Sequence, residues 1–139
     1  MGDINLDLNS DSKPDIVADG QNLPFIDNVF ETVRASHIIE HLKNPIQFIK
    51  ELYRVSNSRI LIICPHRYAR SAKVKGHIQF FNVTWFKRAL ENLGISSYRI
   101  QTTFYLLRPL EIQVEIKKRC LAVKSWESSE TNYMCRMDS

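Results

Sequence analysis

Phe30 to Leu42 reads FETVRASHIIEHL, and the fold turns on what this stretch becomes. Its first part, FETVRA, has the β-branched and aromatic content of a strand. Its second part contains His37-x-x-Glu40-His41. On an α-helix, His37 and His41 would share a face and could hold a zinc ion, with Glu40 as general base. The flanks argue against that use. Asn44-Pro45 starts a new helix at once, Asn as cap and Pro in the first turn, so a helix through both histidines would be very short. Among the distant acids Glu91, Glu111 and Glu115, nothing singles out a third ligand. The segment reads instead as the chain leaving the end of a buried strand, and no metal is expected.

Strands and helices alternate on both sides of it. Downstream, Ile46, Ile49, Leu52 and Tyr53 recur at helical spacing for about three turns. Arg59 to Cys64, RILIIC, is a continuous apolar run stopped by Pro65, the pattern of a buried parallel strand. A basic stretch without periodicity runs from His66 to His77. Phe81 to Leu93 reads as a helix, with Asn82 or Thr84 as cap and Gly94 as the stop. Tyr98 to Leu107 and Glu111 to Lys118 read as two strands joined at Arg108-Pro109. Upstream, Ile4, Leu6 and Leu8 alternate with polar residues, and Asp15 to Gly20 reads as a short buried strand ending in a carboxylate and a glycine. Leu23-Pro24-Phe25 then leads into a turn at Asp27-Asn28. This order predicts an α/β sheet, mostly parallel, with an antiparallel closing strand pair and helices on both faces. One domain spans residues 1–119, and residues 120–139 read as a polar C-terminal tail.

The 139 residues suffice for one core, and 44% apolar with 24% charged residues is an ordinary globular balance. No apolar run is long enough to cross a bilayer, so no membrane partner is expected. The acidic, polar start is unlike a secretory signal. Cys64, Cys120 and Cys135 are far apart and odd in number, which suits a reducing, cytoplasmic setting. The net charge of +4 is modest but uneven. Arg67, Arg70, Lys73 and Lys75 fall close together, and Lys117-Lys118-Arg119 form a second group. Such groups are most simply solvated surface; the alternative is a contact with nucleic acid or another acidic partner.

The run DIVADGQNLPFIDNVFETVRASHIIEHLKNPIQFIKELYRV, followed by RILIICP, resembles the class I S-adenosylmethionine-dependent methyltransferases, especially the type 11 group. GHIQFFNVTWFKRALENLG is similar to that family's helix before its closing strand pair. The likeness covers roughly residues 2 to 119. It implies a Rossmann-like sheet with S-adenosylmethionine bound beyond the carboxyl ends of its strands. It also implies that Asp19 accepts from the adenine amino group, that the Gly20 backbone approaches the ring, and that Asp3 grips the ribose hydroxyls. Ser36 and His37 would sit where cofactor and acceptor meet, and His41 would pack or cap. The bland alternative for Asp19 is a turn-forming residue before glycine. The candidates for a base are His37, His66 and His77, since histidine titrates near neutrality.

The sequence departs from the family at the cofactor's methionine end. Its four glycines, Gly2, Gly20, Gly76 and Gly94, form no Gly-x-Gly-x-Gly loop, so the sheet is truncated. The missing family strand is a central one, between the second and fourth. The gap could close by pairing of Ile4–Leu8 with FETVRA, a dimer or a second chain could fill it, or the sequence could be a piece of something longer. Two functions follow. One is methyl transfer to an unknown acceptor, which the basic loop after Pro65 would favour as acidic. The other is a non-catalytic methyltransferase-like module that serves as an interaction or scaffold surface.

Overall fold

The computed structural model describes residues 3–7, 13–69, 76, 78–118 and 134–138. RILIIC lies inside the longest parallel strand, β4 (Ser56–Pro65), and β3 (Phe30–Ser36) runs parallel beside it. Between them α1 (Pro45–Val55) crosses back, capped as its sequence predicts: Asn44 Oδ1 accepts from the Gln47 N–H, and Pro45 opens the first turn. On the far side of β4, β6 (Arg108–Lys117) and β5 (Tyr98–Tyr105) form the antiparallel pair. A second helix, α2 (Val83–Asn92), precedes β5; Asn82 caps it, and Gly94 follows it at φ +71°, where a side chain would be strained. At the other end of the sheet lie β1 (Asp3–Asp7) and the two-residue β2 (Ile16–Val17).

The middle of the sheet is not closed by direct pairing of its flanking strands. β1 does not pair with β3. A seventh strand, β7 (Met134–Asp138), lies between them and is parallel to both, giving the order β2-β1-β7-β3-β4-β6-β5. Residues 134–138 are therefore no tail: they occupy the place of the missing central strand. Residues 119–133, with Arg119 and Cys120, lie outside the described residues. The short MCRMD segment reads as polar surface because two of its five residues are charged. Cys135 and Met137 are nonetheless fully buried, in register with Val33 and Ala35.

Alternation along the strands explains the core. Val33, Ala35, Ile60, Ile62, Cys64, Ile112, Val114, Ile116, Cys135 and Met137 all point to one face and are buried. α1 contributes Phe48, Ile49, Leu52 and Val55 to that same cluster, and α2 contributes Phe86 and Leu90. The two helices lie side by side, with a shallow groove between Ile46 and Trp85. Where the sequence reading places helices on both faces, the helical cover among the described residues lies on this one. The opposite face carries Arg34, Leu61, Ile63, Gln113 and Glu115, all half-buried.

A polar clamp fastens the Leu23-Pro24-Phe25 turn to α1. Arg54 donates to the carbonyls of Leu23 and Phe25, to Asp27 and to both oxygens of Glu51. Glu51 in turn accepts from the Leu23 N–H. The bonds from Arg54 hold the Glu51 carboxyl below its ordinary value.

Because the folded value is the lower one, the clamp stabilises fully above the unfolded-state value and fades as pH falls through the folded one. Replacing Arg54→Met is expected to cost about 2 kcal/mol near neutral pH and to flatten the acid limb of the stability curve, read by urea unfolding from pH 7 to pH 3. Burial pushes the Cys135 thiol up to about 12, and burial with the Glu40 and Glu111 charges pushes Cys64 up as well. In a Cys120→Ser background, a thiol reagent at pH 8 should therefore find no reactive cysteine in the folded protein and two in denaturant. One fast thiol before unfolding would place Cys135 outside the sheet.

Candidate functional site

Ligands of an open parallel sheet bind beyond the carboxyl ends of its strands, and here those ends enclose a cleft of about 330 Å³. Leu6 and Met137 form its floor, Ala18, Ile38 and Leu42 its apolar walls, and Asp7, Asp19 and His41 its polar rim. The floor exists because β7 brings Met137 up beside β1. The walls come from the turn after β2 and from SHIIEHL, the stretch after β3.

SHIIEHL is not an α-helix. Ser36 ends β3 and is buried; Ile39–His41 form one 3-10 turn. His37 takes a left-handed backbone, φ +57°, which costs energy for a residue with a Cβ. Its N–H donates to the Ile63 carbonyl, which fixes the kink. The two histidines then face different partners. His37 Nδ1 lies 3.5 Å from the buried Glu40 carboxylate and its Nε2 3.2 Å from Glu111. His41 Nδ1 lies 3.1 Å from the Gly76 carbonyl. A carbonyl only accepts, so His41 carries its proton on Nδ1. Face-sharing at i, i+4 belongs to an α-helix, and the 3-10 turn removes it.

The predicted site residues divide. Asp19 and Gly20 do line the cleft, whereas Ser36 and His37 are not among its lining residues; Ile38, His41 and Leu42 reach it from their segment instead. Asp3 does not line it either. It opens β1 at the amino end, and Asp7 closes the strand at the cleft, some 13 Å further on at about 3.3 Å per residue. The acid at the cleft end of β1 is therefore Asp7. Strand polarity is the signal that identifies it, because only the carboxyl end of a parallel strand faces the ligand. Asp19 is both things at once: its Oδ1 accepts from the Gln21 N–H, closing a turn, while the residue lines the cleft. Gly20 is needed for packing, since a Cβ there would stand 2.7 Å from the Phe48 ring. His66 is buried beside β4, where its Nδ1 accepts from the Tyr68 N–H; burial, then Arg67, pulls it below the ordinary imidazole range. His77, Arg70, Lys73 and Lys75 lie outside the described residues. Among those described, no helix is long and apolar enough to cross a membrane.

Comparison with known proteins agrees with this geometry. Residues 5–64 match the family described as a methyltransferase domain. No curated protein sequence matches the chain. A methyltransferase dependent on S-adenosylmethionine from Archaeoglobus fulgidus superposes with a TM-score of 0.65 at 18% identity, over 81% of this chain and 74% of that one. A Thermotoga maritima protein described as a possible histamine N-methyltransferase gives 0.58 at 17% identity, over 73% of this chain and 62% of its own length. A Haemonchus contortus phosphoethanolamine N-methyltransferase, solved with S-adenosylhomocysteine, gives 0.57 at 12% identity, over 72% of this chain and 36% of that one. The fold is that of the class I methyltransferases, and the chain spans less than two-thirds of the Thermotoga maritima and Haemonchus contortus relatives.

Gly20→Ala should destabilise the protein by about 1–3 kcal/mol through the Phe48 clash. Adding Phe48→Leu should return part of that loss. A Gly20→Ala protein as stable as the parent, judged by its urea midpoint, would show that the turn after β2 does not press on α1.

Proposed function

We propose that this chain is an S-adenosylmethionine-dependent methyltransferase in fold and in cofactor, gripping chiefly the nucleoside half of the molecule. The observation that carries this is the meeting of Asp7 and Asp19 at one apolar cleft on the carboxyl side of the sheet. The nucleoside fits: apolar walls take the purine, Asp19 can accept from its amino group, and Asp7 can accept from the ribose diol. The methionine half finds less here, because the four glycines Gly2, Gly20, Gly76 and Gly94 form no Gly-x-Gly-x-Gly loop. When bound, the cofactor supplies a sulfonium methyl, which an acceptor takes by in-line displacement as the thioether leaves with the electron pair. His37, next to the cleft residue Ile38, is our candidate for the acceptor's proton; its Nδ1 faces Glu40 and its Nε2 faces Glu111, so it would take that proton only as the Glu111 contact opens. The acceptor is not specified by these residues. A second reading, a methyltransferase-like binding module without turnover, is supported by the missing glycine loop. The three widely spaced cysteines support a cytoplasmic setting for either.

Calorimetry on the whole chain tests the grip. S-Adenosylhomocysteine and adenosine should bind within about ten-fold of each other, since the shared nucleoside supplies most of the contact. Asp7→Asn should weaken both by about ten-fold or more. Silence with both ligands at millimolar concentration ends the proposal, and adenosylhomocysteine binding a hundred-fold tighter than adenosine would overturn the half-site view.

A further inference from the structure

The described sheet ends in two unlike edges. At one end stands β2, only two residues long. At the other stands β5, whose eight residues, YRIQTTFY, pair with β6 on one side and with no described strand on the other. An open edge offers a row of backbone donors and acceptors to a second strand, and proteins blunt such edges with proline, lysine, bulges or brevity. β5 carries none of these, and its one charged residue is Arg99. The irregularity of the pair falls in β6: Thr103 pairs with Glu111 and Phe104 with Pro109, so the unopposed residue is Leu110. β5 stays paired to its tip, because Tyr105 pairs with Arg108 across the two-residue turn Leu106-Leu107 rather than the Arg108-Pro109 turn that the sequence suggests. Both turn residues have positive φ, +45° and +64°, a conformation that favours Asn-Gly over leucine.

The open edge matches itself. A two-fold axis through Thr102 lays β5 antiparallel to β5 of a second copy, Thr102 opposite Thr102. Alternate residues share a face, so Phe104, 64% exposed in the single chain, then lies opposite the second copy's half-buried Ile100. Leu106, 80% exposed, reaches toward the second copy's Tyr98. On the other face Gln101 meets Thr103, both exposed and uncharged. The two copies of Arg99 end up about 20 Å apart, well beyond the screening length. The pairing also closes: it uses both long edges and leaves only the two-residue β2 at each end. The cleft lies away from it, since β5 stands three strands beyond β3.

We propose that β5 is a self-pairing edge through which two copies of this chain join into one continuous sheet, with a cleft near each end. This stands independently of the proposed cofactor.

Sedimentation velocity of the whole chain at increasing concentration provides the test. The native chain should pass from monomer to dimer. Thr102→Lys and Thr102→Glu each set like charges opposite one another on the axis and should weaken the dimer at least about ten-fold. Mixed in equal amounts, the two variants should associate again, since opposite charges then meet. Gln101→Lys, at an exposed position, should weaken the dimer while the urea midpoint of unfolding stays at the native value. A native chain still monomeric at about 0.1 mM overturns the proposal. So does a dimer indifferent to all three substitutions, because it would use another surface. A mixture that stays monomeric although both variants fold overturns it as well, and so do open-ended oligomers, because the proposed pair closes on itself.

Discussion

The structure depends on the filling of one slot. Strands β1 and β3 each present a row of backbone donors and acceptors toward the middle of the sheet, and buried groups of this kind must be paired. β7 satisfies both rows at once, five residues pairing with Asp3–Asn5 on one side and Thr32–Ser36 on the other. Its inward side chains, Cys135 and Met137, complete the layer formed by Val33, Ala35, Ile60 and Ile62. Without it β1, which carries Asp7, loses its neighbour on the β3 side, and only the contacts of the turn after β2 with α1 tie that end of the sheet to the rest.

The cleft therefore combines an inherited half and an improvised half. The turn after β2, the 3-10 turn after β3 and the clamp between Arg54, Glu51 and Leu23 all lie within residues 5–64, which match the methyltransferase-domain family, and the two turns border the cleft. The floor beneath it comes from Met137, a residue of the inserted strand. A flexible thioether suits an irregular gap of that sort. His37 shows the same combination of constraint and purpose. Its left-handed backbone is held by one bond to Ile63, and its ring is set between two carboxylates.

Much of this was legible in the residues. RILIIC announces a buried parallel strand, Asn44-Pro45 a helix start, and Ile112, Val114 and Ile116 a strand with one inward face. Asp19 was found because a carboxylate before glycine ends a short apolar run. Asp7 is not legible in this way: the resemblance implies Asp3 as the acid of that strand, and composition does not say which end of the strand meets the cleft. β7 was hidden because it is short and bears two charged residues. Its pairing partners lie about a hundred residues back along the chain, and periodicity reports only local order. The Leu106-Leu107 turn was hidden for the opposite reason: it contains none of the residues that mark turns, while Pro109 nearby does.

The position of β7 also bears on how the protein comes into being. It is the mid-sheet strand, yet it follows every other described strand in the sequence. A nascent chain leaving the ribosome would expose the facing edges of β1 and β3 throughout synthesis, until residues 134–138 emerged. Contacts of such long sequence separation form slowly, and open edges recruit neighbours in the meantime. The protein's yield in a cell would then be governed less by its final stability than by how long that interval is shielded.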